Sequence, residues 1–233
     1  MSTNADVLPR SGVIESSAKE TASPRVHVFC QGNDWNPAEF GREQIRGLVR
    51  GVFFTDAARP VKQVVISPAE RHTDVESICD QVGQTLALET HADVAIVGRD
   101  DGAERVRDTF VRSDAIKSWA TRTKNNLWQV QEPHLRQHGE ESGTGRYWLS
   151  RLAELRSTFE YAVIQGPPAG ISSEAGLLGQ LADGIILVLD AHSTRRATAR
   201  KIKEMLEGAH SRILGTVLYG RKFPVPERIY RRL

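Results

Sequence analysis

Short apolar runs recur along this chain and alternate with stretches of helical spacing. No other feature restricts its fold as much. Val64–Ile66, Val94–Val97, Leu127–Val130, Tyr161–Ile164, Gly184–Leu189 and Ile213–Leu218 read as buried strands. Between them, Val75, Cys79, Val82 and Leu86 form one helical stripe, and Trp148, Leu152, Leu155 and Phe159 another. Further helices are expected over 172–181 and 194–207, with a short one over 116–119. A helix over 37–54, with Phe40, Ile45, Leu48 and Val52 near one face, precedes the first strand. Strands alternating with helices predict an α/β fold, a mostly parallel central sheet covered by helices on both faces. The region Gly102–Lys124 is charged and weakly patterned.

The domain expected spans 25–220, within which 25–30 reads as a strand or extended arm. Residues 1–24 are rich in Ser, Thr and Ala and carry few large apolar side chains, so they read as a disordered leader. Residues 221–233 form a basic tail, with Arg221, Lys222, Arg228, Arg231 and Arg232 among Phe223, Val225, Ile229 and Leu233. A length of 233 residues suits one large α/β domain, and 39% hydrophobic with 26% charged residues is ordinary for a soluble protein. The formal net charge of +2 gives no global drive toward nucleic acid or membrane, so either role would need a local patch. Cys30 and Cys79 make neither a disulfide framework nor a zinc set, so the expected compartment is the cytoplasm. No apolar run is long enough to span a bilayer, and no signal peptide is expected. The histidines show no metal-ligand spacing; His134 and His138 fall in a polar loop, and no metal site is expected.

The junction Gln63–Cys79, QVVISPAERHTDVESIC, is a strand, a turn and a helix. Such junctions hold phosphates in nucleotide-binding α/β proteins when Gly residues open the loop, Lys meets the phosphates and Ser or Thr holds Mg²⁺. This turn has neither Gly nor Lys. It offers Arg71 and His72, followed by Asp74 and Glu76, whose carboxylates repel a triphosphate. Thr73-Asp74-Val75-Glu76 matches a capping box, so Thr73 and Glu76 are expected to close the helix start on each other.

Several strings resemble the cytoplasmic domain of bacterial tyrosine kinases of capsule and exopolysaccharide synthesis, within the deviant P-loop ATPases. FEYAVIQGPP (159–168) is similar to that family's Walker B strand, LGQLADGIILVL (178–189) to its next helix and strand, and ILGTVLYGRKFPVPERIYRRL (213–233) to a subgroup's last strand and tail. Glu43 and Arg46 resemble part of its oligomerisation motif; the second Arg is displaced from the Val49 position to Arg50. The resemblance implies a P-loop NTPase-like, Rossmann-like three-layer sandwich. Laid on the family's motifs, His72 and Asp74 stand where glycines belong. Val75 or Asp74 takes the Lys position, and Glu76 or Val75 the Mg²⁺-binding hydroxyl. Gly98 and Asp100 take the places of an Asp pair, and Gln165, before Gly166, that of the Walker B Asp. These positions, Arg71 to Glu76 with Asp100, Gln165 and Gly166, are the expected remnant of a nucleotide site.

The resemblance with these departures implies a degenerate member with no catalytic residues and no expected cofactor. ATP and Mg²⁺ enter only under the rival reading of an active kinase or ATPase; a relative serving spatial positioning or secretion is a third. The implied partner is a membrane polysaccharide chain-length determinant or export protein, reached from the cytoplasm, with self-association as a homo-oligomer. Glu43, Arg46, Arg50, Tyr230, Arg231 and Arg232 are the candidate contact residues.

Overall fold

The computed structural model describes residues 37–55, 58–99, 116, 120–124, 126–132 and 145–220. The expected leader, the arm at 25–30, Asp100, the loop holding His134 and His138, and the tail with Tyr230, Arg231 and Arg232 lie outside the described residues.

Twelve elements follow in the order α1 (Pro37–Phe53), β1 (Gln63–Pro68), α2 (Glu76–Thr90), β2 (Val94–Arg99), β3 (Thr121–Lys124), β4 (Leu127–Glu132), α3 (Gly145–Thr158), β5 (Tyr161–Gln165), α4 (Glu174–Leu181), β6 (Gly184–Asp190), α5 (Arg196–Gly208) and β7 (Ile213–Tyr219). The seven strands form one sheet in the order β3-β4-β2-β5-β1-β6-β7. All pairings are parallel except β3 with β4.

β1 is central and buried along its whole length, as parallel strands covered on both faces are. Successive side chains point to opposite faces. Val64 and Ile66 enter the core with Val49, Val52 and Phe53 of α1 and Ile78, Val82 and Leu86 of α2. Val65 enters the other core with Trp148, Leu152 and Leu155 of α3, Leu178 of α4, and Ile202 and Leu206 of α5. The expected stripes are buried throughout: Val75, Cys79, Val82 and Leu86 on one side, Trp148, Leu152, Leu155 and Phe159 on the other.

The first correction concerns β3. Its four residues are all exposed, so no apolar alternation marks them; backbone pairing to β4 and Arg122 stacked 5.5 Å over Trp128 hold them at the sheet edge. Such charged edges discourage pairing with other chains. Ala120 N–H donates to the Ile116 carbonyl at 3.0 Å; residues 117–119 of the short helix expected there lie outside the described residues.

From β1 the chain crosses to β2, beyond β5, with α2 on one face. From β5 it crosses to β6, beyond β1, with α4 on the opposite face. The carboxyl ends of β1 and β5 are therefore the point where the chain's direction reverses, the position at which open α/β sheets bind ligands.

Candidate functional site

At that switch point the two departing turns are bonded to each other. The Ser67 hydroxyl, fully buried, donates to the Pro167 carbonyl at 2.6 Å. Ala169 N–H donates to the Pro68 carbonyl (2.8 Å) and Gly170 N–H to the Ala69 carbonyl (3.1 Å). The approach is close enough to require glycine: a Cβ on Gly170 would lie 2.6 Å from the Ala69 oxygen, and one on Gly166 2.7 Å from Val65 Cγ1.

The expected site residues divide sharply in this frame. Arg71, His72, Asp74 and Glu76 are exposed, whereas Thr73 and Val75 are buried, at 7% and 3% exposure. Val75 packs in the core shared with α1 and α2, so a cation at this position would point into hydrocarbon. The capping box requires correction. The bond at the start of α2 runs from Ser77 N–H to Asp74 Oδ1 at 3.2 Å, one residue later than Thr73 and Glu76 would place it. Burial of Val75 and Thr73 turns Asp74 outward, where its carboxylate reaches the free N–H groups of the first turn.

The electrostatics of this turn are acidic. Burial pushes the Cys79 thiol far above the usual range, and Asp80, Glu76 and Asp74 push it further. Asp80 is itself raised, first by burial and then by the Asp74 charge. A turn whose Asp74 charge already opposes ionisation of Asp80 is a poor setting for phosphate.

Gln165 ends β5, half-buried, beside Gly98 of β2. A Cβ on Gly98 would lie 3.7 Å from Gln165 Oε1 and 3.3 Å from Gln129 Nε2 of β4. The structure thus brings together two of the positions singled out in sequence, and Gly98 leaves room for amide side chains from both neighbouring strands. A neutral amide is a weak ligand for a hard cation. With Val75 buried, Asp74 committed to a cap and Gln165 neutral, the residues present do not fit a Mg²⁺-bound triphosphate. Among the described residues no group of three or more His, Cys, Asp and Glu is arranged to hold a metal.

Two contacts near this edge carry no sequence signal. One is the Ser67–Pro167 bond. The other is a buried pair in which Trp148 Nε1–H donates to Glu174 Oε1 at 2.7 Å, tying α3 to the first turn of α4. Trp148 is legible as a core residue; a glutamate in a polar-looking turn is not.

The expected contact residues on α1 lie apart from the switch point. Glu43 and Arg46 pair with each other on its surface. Arg50 reaches across to Glu89 of α2 at 3.1 Å. Val49 is fully buried, which explains why the second Arg stands at 50: at 49 it would lie in the core. A cavity of about 290 Å³ lined by Gly51, Val52, Thr55, Val61, Arg212 and Leu214 lies at the amino end of the sheet, away from the switch point. No helix of the described residues is long and apolar enough to cross a membrane.

No protein-family model matches the chain. Among curated proteins it is similar to the tyrosine-protein kinase YwqD of Bacillus subtilis, 33% identical over 76 residues. That match covers 32% of this chain and 32% of YwqD, so the shared stretch is about a third of the relative's length. The putative tyrosine-protein kinase CapB of Staphylococcus aureus is 21% identical over 198 residues, covering 78% of this chain and 85% of CapB. Among solved structures, the kinase domain of Escherichia coli tyrosine kinase ETK superposes with a TM-score of 0.59 at 14% identity, covering 79% of each chain. The chimerical protein CapA2B2 gives 0.57 at 18%, covering 76% of this chain and 83% of its own. The cell division protein MinD of Aquifex aeolicus gives 0.52 at 14%, covering 74% and 73%. Over about a third of its length the chain is thus similar to bacterial tyrosine-protein kinases, and its fold is the one shared by the kinase domain of ETK and by MinD.

Proposed function

We propose that this chain is a catalytically degenerate relative of the bacterial tyrosine kinases, a cytoplasmic regulatory or interaction subunit in exopolysaccharide or capsule biosynthesis and export. Its partner in this reading is a membrane chain-length determinant or export protein, with a second copy of the chain as a further partner. The observation that carries the reading is the burial of Val75. Of the two positions laid on the phosphate-binding lysine, Val75 belongs to the core between α1 and α2 and Asp74 is an acid that accepts the Ser77 N–H. Gln165 beside Gly98 supports it from the neighbouring strands. The helix that carries Glu43, Arg46 and Arg50 packs Val49, Val52 and Phe53 into the core, which suits a scaffold that presents surface. Titration calorimetry with ATP or ADP and Mg²⁺ tests the reading: no heat of binding is expected, and micromolar affinity overturns it.

The names of the relatives favour a second reading, an active ATP-dependent tyrosine kinase with non-standard ligands. Phosphate transfer to the chain's own tyrosines in the presence of Mg²⁺ and ATP is the outcome that separates it from the first.

A further inference from the structure

The sheet ends differently on its two sides. β3 is short, and all four of its residues are exposed. Arg122 and Lys124 charge it, and its register against β4 slips between them. Shortness, charge and a bulge are devices that stop an edge strand from recruiting another chain. β7 closes the other side with seven residues, none of them charged and none proline. Its register against β6 slips only at the amino end, beside Ile185 and Ile186, which leaves Gly215–Tyr219 regular. Ala191 N–H donates to the Tyr219 carbonyl at 2.9 Å. Tyr219 therefore turns its peptide groups toward β6, and so does Val217 two residues back. Thr216 and Leu218 turn theirs outward, where no strand stands beside them among the described residues. Both side chains are exposed, Leu218 at 53%. A long, uncharged edge of this kind is a template for a further strand.

α5 flanks this edge, and its charges are sorted along its length. Arg196 and Arg200 occupy the amino half, Glu204 and Glu207 the carboxyl half. That order opposes the helix dipole, which favours acids at the amino end, so the stability of the lone helix does not account for it. At about 100° per residue, Ala209 lies to one side of the buried Ile202 and Leu206, and Arg196, Lys203 and Glu207 lie to the other. The Ala209 side meets α4: a Cβ on Gly176 would lie 3.0 Å from Ala209 Cβ. The charged side therefore looks away from α4, over β7 and past the edge, with Arg200 and Glu204 next to it toward solvent. Lys203 pairs with Glu207 at 3.5 Å; among the described residues Arg196 and Arg200 make no salt bridge.

We propose that β7 pairs antiparallel with β7 of a second copy of this chain about a twofold axis, joining the two sheets into one. Such a contact must be complementary to itself. The uncharged edge meets its own copy without repulsion, whereas β3 would set cations against cations. The same axis lays the two α5 helices side by side in opposite directions. About the helix midpoint at Ile202, Arg196 and Arg200 then stand level with Glu207 and Glu204 of the second copy, and each pairing occurs twice. The charge order that opposes the dipole within one helix thus becomes complementary between copies. Lys203, near the axis, is held by Glu207 of its own helix. Leu218 lies on the α5 face, because Val217 and Tyr219 pack on the other, and the second copy covers it. This contact rests on the reading above only in making a second copy the partner. It uses neither the α1 row Glu43, Arg46 and Arg50 nor the state of the nucleotide site, so calorimetry with ATP can fail without touching it.

Sedimentation of the full chain over a range of concentrations, with hydrogen exchange read at single amides, decides the matter. A monomer–dimer equilibrium is expected, and the Thr216 and Leu218 amides should exchange more slowly as the dimer fills. Leu218→Lys puts two like charges into an uncharged contact and should raise the dimer Kd on the order of tenfold or more. The side chain is exposed, so the Tm of the monomer should hold. Arg200→Glu should weaken the dimer roughly threefold to tenfold, and so should Glu204→Arg. The double variant Arg200→Glu/Glu204→Arg should restore it, because the exchange keeps opposite charges level across the axis; misfolding does not produce such a rescue. A chain that stays monomeric overturns the proposal, and if its Thr216 and Leu218 amides are protected all the same, the chain covers its own edge. A dimer indifferent to Leu218→Lys also overturns it; one dissolved instead by Glu43→Ala/Arg46→Ala assigns the contact to α1. A double variant no tighter than either single one overturns the antiparallel placement of α5, and the proposal with it.

Discussion

The two ends of β1 are held by different chemistry. At its amino end, Lys62 and Gln63 both donate backbone N–H bonds to Asp183 Oδ2 at 2.8 Å, and Arg156 donates to Asp183 Oδ1 at 2.8 Å. The Gln63 side chain completes the clamp, accepting from Arg156 and donating to the Leu152 carbonyl. At its carboxyl end the bonds are neutral, a serine hydroxyl and backbone amides meeting backbone carbonyls. In a fold of this kind ligand chemistry belongs at the carboxyl end. Here the ion pair stands at the opposite end, where it joins β1 to α3 and to the start of β6. The contrast separates an ion pair that holds the amino end from a carboxyl end where the two turns meet through neutral bonds and the one charged bond, from Asp74, stays within its own turn.

The sharpest way to break that contrast is to put charge back at the carboxyl end. Val75→Lys buries an ammonium among apolar side chains with no partner, and is expected to cost on the order of 3 kcal/mol or more. Chemical denaturation measures the loss, and calorimetry of the variant should still register no ATP. A stable Val75→Lys protein that binds nucleotide would mean that the turn opens easily and that the neutral closure is incidental.

A smaller effect is expected at the amino end. Asp183→Ala strands two backbone N–H groups and the Arg156 guanidinium, at a cost of about 1–3 kcal/mol. The side chain is 21% exposed and that of Arg156 42%, so water recovers part of the loss. Burial alone would raise the Asp183 pKa; the Arg156 hydrogen bond, with those from Gln63 and Lys62, outweighs it and holds the carboxyl below the usual range. A depressed folded-state pKa contributes stability above the unfolded value, about 3.9 for Asp, and loses it as pH falls through the folded one. The gap in Tm between parent and Asp183→Ala should therefore be full at neutral pH and close below about pH 4. A gap unchanged down to pH 2 would remove charge from the account of this clamp.

How much of this was legible depended on whether a residue's role is local. Among the described residues, six of the seven strands and all five helices were expected, and the stripes of α1, α2 and α3 follow from apolar spacing because spacing maps directly onto which face is buried. β3 was not, since edge pairing asks for backbone and not for apolar side chains. At the candidate site, the missing Gly and Lys are plain in the string from Gln63 to Cys79. That Val75 lies in the core could be read from its stripe with Cys79, Val82 and Leu86. The nearness of Gly98 to Gln165 could not, because it depends on β2 and β5 being neighbours, as the crossover order alone decides. Ser67, Glu174 and Asp183 escaped for the same reason: each meets partners at least 26 residues away in sequence.

The smallest expected effect decides how the carboxyl-end turn is closed. Asp74 accepts the Ser77 N–H bond, so Asp74→Ala removes a cap usually worth about 1 kcal/mol. It also removes the charge that, after burial, raises the Asp80 pKa. A carboxyl whose folded-state pKa is raised costs stability at neutral pH and recovers it as pH falls, so relief at Asp80 offsets part of the lost cap. The net loss should be smaller than the full cap of about 1 kcal/mol, with the Asp80 titration followed by NMR moving down. Thr73→Val keeps the buried shape and deletes the hydroxyl; with no cap to lose, it should stay within about 0.5 kcal/mol of the parent. If Thr73→Val instead costs the full cap and Asp74→Ala is neutral, the helix start is closed by Thr73 and Glu76 after all. In that case the Asp74 carboxylate is free to face solvent, and the turn is more acidic toward any approaching phosphate than its capped form.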